Sequence, residues 1–274
     1  MGTLYLVATP IGNLEDISPR ALKVLREAVL IAAEDTRHTG KLLERFGIES
    51  RLTSYWEHNK LKKLDFIISQ LSRGDVALVS DAGTPGINDP GYELVQAALA
   101  SSFDVMPIPG PSAPIAALSV SGLPTDTFLY LGYLPHKSNE RRSIMKQVAS
   151  LPHTLIFLET PHRIADSLQD IFNVLGDRNI CVAREMTKLH EEYWRGTVKD
   201  AIEYFNSGEP RGEFTLVIEG NKEEKQEVWP EEKLSKDIKK GLKAGKSAKE
   251  LSAELAELSG WNKKEVYALV NSLK

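Results

Sequence analysis

Three short segments of this 274-residue chain place glycine, proline and small polar residues directly after an apolar run. They are Thr9-Pro10-Ile11-Gly12-Asn13-Leu14, then Ser80-Asp81-Ala82-Gly83-Thr84-Pro85-Gly86 with its continuation Ile87-Asn88-Asp89-Pro90-Gly91, and Pro109-Gly110-Pro111-Ser112-Ala113. Glycine tolerates positive φ and the close approach of a neighbour, and proline holds its own φ, so each segment reads as a shaped turn. Asp89-Pro90 reads as a helix N-cap followed by proline at the first helical position. In an open α/β sheet, ligands bind outside the carboxyl ends of strands, so residues 80–84 are expected to line a small-molecule site. None of the three turns ends in the Gly-Lys-Ser/Thr of a P-loop, and no G-x-G-x-x-G follows the first strand. The histidines lack metal-ligand spacing, so no metal site is expected.

Elements must bring these turns together. Apolar runs at 4–8, 30–33, 76–79 and 105–108 read as buried strands of a largely parallel sheet. Between them, 19–28, 38–46, 60–71 and 91–100 read as helices, the first capped by Ser18 with Pro19 at its first position. Leu123-Pro124-Thr125 marks a boundary, and the second half is again α/β, with the hairpin-like stretch 193–197 implying some antiparallel pairing. A polar linker at 221–227 leads into a helical tail. There Ser247 with Glu250, and Asn262 with Glu265, have the side-chain types of capping boxes, and Gly260 ends the intervening helix, which predicts a helical hairpin of helix-turn-helix type. The organisation expected is an amino-terminal lobe at 1–122, a second lobe at 123–222 and a basic helical extension at 223–274.

Charge divides along the same lines. Residues 1–220 carry 22 Lys and Arg against 28 Asp and Glu, whereas 221–274 carry 12 against 10. Lysines at 233, 236, 240 and 243 fall three or four apart, on one helical face, where they suit either solvation or phosphate contact. The single cysteine, Cys181, lies in an apolar run and cannot form an intrachain disulfide, and no apolar run reaches membrane-spanning length. A cytoplasmic location is expected.

Six motifs in order, at 4–14, 33–37 (Ala-Glu-Asp-Thr-Arg), 58–59 (His-Asn), 80–86, 109–113 and 159–163 (Glu-Thr-Pro-His-Arg), resemble the tetrapyrrole-methylase-like family of S-adenosylmethionine-dependent enzymes over residues 4–220. Within it they are similar to the members that methylate a cytidine 2′-oxygen of small-subunit ribosomal RNA at the decoding centre. The resemblance implies two α/β lobes with S-adenosylmethionine held between them, and a homodimer whose partner is the small ribosomal subunit or its rRNA. It places Asp81, Ala82, Gly83 and Thr84 at the methionine part of the cofactor, flanked by Ser112 and Ala113. Pro10 and Gly12 would shape the floor, and Leu158, Glu159, Arg184, Glu185, Gly212, Glu213 and Phe214 would face the cleft from the second lobe.

Methyl transfer from a sulfonium asks the protein chiefly to orient donor and acceptor, but a ribose hydroxyl is a weak acid and benefits from a proton acceptor. Asp35 and His58 are the candidate bases, with Arg37 and Asn59 as candidate substrate contacts. Each has a structural alternative: Asp35 can cap the helix that follows, Arg37 can be its ion-pair partner, and His58 can be a plain surface residue. Two rival functions share the motifs, a small-molecule methylase acting on a tetrapyrrole and a noncatalytic RNA- or ribosome-binding module.

Overall fold

The computed structural model describes residues 2–208, 211–222 and 229–273. The chain divides into two compact units, residues 1–220 and 221–274. Most of the predicted linker, including the expected start of the extension at 223, lies outside the described residues.

The first unit contains two five-stranded sheets. In the first, β1 (Thr3–Val7), β2 (Leu30–Ala33), β3 (Leu52–Ser54), β4 (Val76–Val79) and β5 (Asp104–Ile108) are all parallel, in the order β3-β2-β4-β1-β5. Successive strand residues point to opposite faces, and here both faces are covered. Leu4, Leu30, Val76 and Leu78 enter one core, while Val7, Ile31, Ala77 and Val79 enter the other. Helices α1 (Pro19–Glu27), α2 (Thr36–Arg45), α3 (Lys60–Leu71) and α4 (Tyr92–Ala100) connect the strands. Ser18 caps α1 as expected, its hydroxyl accepting from Ala21 N–H. Helix α2 starts two residues earlier than the sequence suggested, because Asp35 is its N-cap. Strand β3 was not anticipated; three residues are too few to show a period.

In the second sheet, β6 (Phe128–Tyr133), β7 (Thr154–Glu159), β8 (Asn179–Arg184), β9 (Glu192–Thr197) and β10 (Phe214–Ile218) take the order β6-β7-β10-β8-β9. Strand β10 is antiparallel to both neighbours, and the 193–197 segment pairs antiparallel with β8. One face packs with α6 (Ser138–Val148), α7 (Ile164–Leu175) and α8 (Val198–Asn206). The other, which includes Cys181, packs against Ala117 and Leu118 of α5 (Ala113–Val120). Helix α5 thus leaves the third glycine-proline turn of the first sheet and lies on the second.

The second unit has its own core. Helices α9 (Glu231–Lys243), α10 (Ala248–Ser259) and α11 (Lys263–Ser272) bury Leu234, Ile238, Leu251, Leu255, Val266 and Val270 together. Ser247 and Glu250 form the expected capping box, and Gly260 takes the left-handed conformation that stops α10. The box expected at Asn262 and Glu265 is not made: the Asn262 side chain accepts from Lys264 N–H instead. No described helix is long and apolar enough to cross a membrane.

Candidate active site

The carboxyl ends of β4, β1 and β5 are neighbours along one edge of the first sheet, and the three turns leaving them interlock. Thr9 N–H donates to Gly83 O at 2.9 Å, and Gly83 N–H returns a bond to Thr9 O at 3.0 Å. Thr84 Oγ1 donates to Pro111 O at 3.3 Å, joining the second turn to the third. Gly83 is left-handed at φ 79°, a conformation that side chains disfavour. A Cβ on Gly110 would come within 3.0 Å of Ala8 Cβ. Glycine at both positions therefore lets the turns close on one another.

The interlocked turns form one wall of a cleft with about 800 Å³ of space, part of it open to solvent. Ala82, Gly83, Thr84, Ser112 and Ala113 line this wall, as expected, together with Ile11. The second sheet supplies the opposing wall, with Leu158, Glu213 and Phe214 as expected, and Tyr130, Tyr133 and Met186 in addition. The lining of the cleft mixes apolar surface with a few polar groups, as the linings of small-molecule sites do.

The remaining residues assigned to the cleft lie around it. Pro10 and Asp81 line a smaller neighbouring pocket with His38 and Lys41. Gly12 is pressed against the β8–β9 connection, where a Cβ would stand 2.6 Å from Thr187 Oγ1. Glu159 is buried, accepting from Thr160 N–H and Ser167 Oγ–H and pairing with Arg163. Arg184 donates to Arg211 O and to Glu192. Glu185 accepts from Lys188 Nζ and Glu213 N–H, and Gly212, at φ 88°, lies against its side chain. These contacts brace the segment that presents Glu213 and Phe214.

A second concavity holds the expected acceptor-side residues. Asp35, Arg37 and His58 line one groove with Glu34, Trp56 and Glu57. Asp35 Oδ1 accepts from Arg37 N–H and Nε–H, and Oδ2 from Arg37 Nη2 at 2.6 Å. Hydrogen bonds from the Arg37 side chain and backbone hold the Asp35 carboxyl well below the usual carboxylate range. Asn59 organises the turn: its Oδ1 accepts from Trp56 N–H and its Nδ2 donates to Ser54. The Asp81 turn separates groove from cleft, since Asp81 N–H donates to Glu34 Oε2 and Asp81 Oδ1 accepts from Asp35 N–H, while the next residue, Ala82, lines the cleft.

Residues 3–202 match the family model for tetrapyrrole (corrin/porphyrin) methylases. The chain belongs to this family. A protein of Synechocystis named ribosomal RNA small subunit methyltransferase I is 46% identical over 98% of this chain and 97% of its own length. A Thermotoga maritima relative of the same name is 47% identical over 80% of this chain and 99% of its own length, so it is about as long as the first unit alone. Among solved methylase structures, the methyltransferase CobJ superposes with a TM-score of 0.61 at 17% identity, covering 80% of this chain and 95% of that one. A uroporphyrin-III-C-methyltransferase from Thermus thermophilus gives 0.55 at 20%, covering 79% and 94%. At these identities the two structures establish the methylase fold.

Sequence reasoning misplaced one group in this methylase cleft. Asp89 is not a helix cap, because α4 begins at Tyr92 with Gly91 as its N-cap; Asp89 instead lines the cleft. Tyr130 and Tyr133 left no periodic signal, since residues three apart on a regular strand face opposite sides. A register shift between them, with Gly132 at φ 69°, brings both to the cleft. Burial, then the charge of Glu34, push the Asp89 carboxyl up to about 6; Asp81 adds to this and a hydrogen bond from Ser80 opposes it. Burial likewise raises the facing phenols, Tyr130 to about 12. A cationic ligand favours ionised Asp89, so its binding should release a proton and tighten as pH rises from about 5 to 7. Asp89→Asn should flatten that dependence. Calorimetric titration with S-adenosylmethionine across this range checks it, and equal slopes in parent and variant would remove Asp89 from cofactor binding.

Proposed function

We propose that this protein is an S-adenosylmethionine-dependent methyltransferase that modifies a cytidine 2′-oxygen in small-subunit ribosomal RNA. The observation that carries the reading is the pairing of a cleft built by three interlocked turns with a second, solvent-facing groove across the Asp81 turn. One concavity suits a compact donor, and the other an acceptor that reaches in from a macromolecule. The names of the relatives at 46–47% identity support ribosomal RNA as the substrate.

The residues present fit the cofactor. Left-handed Gly83 brings backbone to the cleft wall, and the start of α5 at Ser112 and Ala113 suits a carboxylate. Asp89 and Glu213 both line the cleft, and their carboxyl groups suit a ligand that carries a sulfonium and an ammonium. When bound, S-adenosylmethionine supplies an activated methyl group. The protein's part is to hold the ribose oxygen in line and accept its proton. Arg37 already occupies both Asp35 oxygens, so His58 is the preferred acceptor, with Arg37 and Asn59 holding the substrate and its turn.

The second unit is read as accessory, because the T. maritima relative spans a length close to that of the first unit. A homodimer is part of the same reading; Met106 and Phe128, exposed on the edge strands β5 and β6, offer apolar surface for it.

The decisive experiment incubates the protein with methyl-labelled cofactor and unmodified small subunits, then maps the labelled nucleotide. Label on a cytidine 2′-oxygen is expected. Label on a base would move the acceptor from the ribose to the base, and transfer to a porphyrinoid in preference to RNA would replace this reading with the rival methylase.

A further inference from the structure

Trp56 is a large aromatic residue left 43% exposed inside a groove otherwise lined by charged and polar side chains. An exposed indole in such a setting lacks the apolar neighbours that would explain it as core. Its position is nevertheless held. Asn59 Oδ1 accepts from Trp56 N–H at 2.8 Å and Asn59 Nδ2 reaches back to Ser54 Oγ at 3.1 Å. Lys60 bridges Glu57 and Glu93, at 2.9 and 2.6 Å, and so anchors the other end of the turn. The His58 ring meets the indole at 83° with centroids 4.9 Å apart. The two rings are perpendicular and unstacked, and Trp56 lines the groove from a partly exposed position, where a planar ligand can approach it.

The polar groups around it are unequal. Asp35 is saturated by Arg37, and Glu57 is paired with Lys60. Glu34 differs, because Asp81 N–H engages its Oε2, and among the described residues no hydrogen bond is made to its Oε1. Burial raises the Glu34 carboxyl, the bond from Asp81 N–H opposes this, and the neighbouring charges of Asp81 and Asp35 add to the rise. An acceptor beside a stacking surface matches a nucleobase with an exocyclic amino group: a carboxylate accepts from the N4 amino group of cytosine, whereas the O4 of uracil offers no donor. Arg37, with its side chain 88% exposed at the groove's edge, offers donors for the ribose-phosphate backbone.

We propose that this groove is the nucleobase subsite, in which Trp56 stacks on the target base and Glu34 Oε1 accepts from its amino group, selecting cytosine over uracil. The inference rests on the RNA-methylating reading above and deepens it by naming the residues that read the base. Stacking holds an unpaired base independently of its identity, and Glu34 supplies the discrimination.

The test compares the full chain with Trp56→Ala, Trp56→Phe and Glu34→Gln on unmodified small subunits, and on subunits carrying uridine in place of the target cytidine. Trp56→Ala is expected to lower kcat/KM about ten- to a hundred-fold, with Trp56→Phe restoring most of it and cofactor affinity by calorimetry unchanged in both. In Glu34→Gln the amide oxygen is expected to keep the bond from Asp81 N–H, turning an amino donor into the groove. The preference for cytidine over uridine should then collapse, with the rate on uridine subunits rising relative to the parent. A parent that methylates cytidine while Trp56→Ala keeps its kcat/KM, or while Glu34→Gln keeps the same base preference, removes the subsite and leaves the proposed function standing. A parent inert on the subunits overturns both.

Discussion

Replacing Asp170 with alanine is expected to cost about 3–5 kcal/mol of the first unit's stability. Asp170 and Arg141 form a buried ion pair, with side chains only 4% and 5% exposed and Arg141 Nη2 2.7 Å from Asp170 Oδ2. The carboxylate also accepts from Arg141 Nε at 2.9 Å, Arg142 Nε at 2.6 Å and Ser138 Oγ at 2.9 Å. This one group ties Ser138, Arg141 and Arg142 of α6 to α7, beside the apolar core that the two helices share. Deleting it leaves a buried guanidinium with the carbonyls of Pro135 and His136 but no counter-charge, which is far more costly than the net worth of the pair. Burial alone would raise the Asp170 carboxyl, but bonds from Arg142, Ser138 and Arg141 outweigh it and set it below its ordinary value. Its contribution is therefore present above the unfolded-state value near 4 and is lost as pH falls below it. Urea denaturation of parent and variant at pH 7, monitored on the first unit, measures the loss. A difference under about 1 kcal/mol would show that water or rearrangement satisfies Arg141 unaided.

The second large effect concerns turnover. His58→Ala is expected to slow single-turnover methyl transfer by about 10²–10⁴-fold while leaving cofactor affinity in place, because a proton acceptor acts as the methyl group moves and not when the donor docks. Asp35→Asn should do much less. Arg37 holds that carboxyl in its ionised, weakly basic form, and asparagine caps a helix as well as aspartate does. Rates measured with prebound cofactor separate the two residues. Should His58→Ala stay within a factor of two of the parent, His58 is a surface residue and the ribose proton leaves by another route.

Both effects depend on parts of the molecule that differ in how far sequence reveals them. The parallel first sheet was legible because its inner strands β2 and β4 are buried on both faces and read as unbroken apolar runs, Leu30–Ala33 and Val76–Val79. The three turns were legible because glycine and proline constrain φ locally, whatever surrounds them. The capping of α1 and α10 was legible for the same reason, since the bonds involved span three residues.

What tertiary structure alone decided is everything that depends on pairing across long separations. Asp89 became a cleft residue because the chain continues as a loop to Gly91, against the local N-cap signal. Tyr130 and Tyr133 came to the same cleft through a register shift in β6. Asp35 fulfilled its local capping role and also met Arg37, which weakens it as a base; the sequence allowed both without ranking them. Glu34 has Oε2 engaged by Asp81, 47 residues away, and no bond to Oε1 among the described residues. Sequence by itself determined which residues could make turns, caps and buried strands, because those choices are settled over a few residues of backbone. The folded chain decided which acid is saturated, which is short of a donor and which aromatic faces a cavity, because electrostatics and burial are summed over neighbours that only the fold brings together.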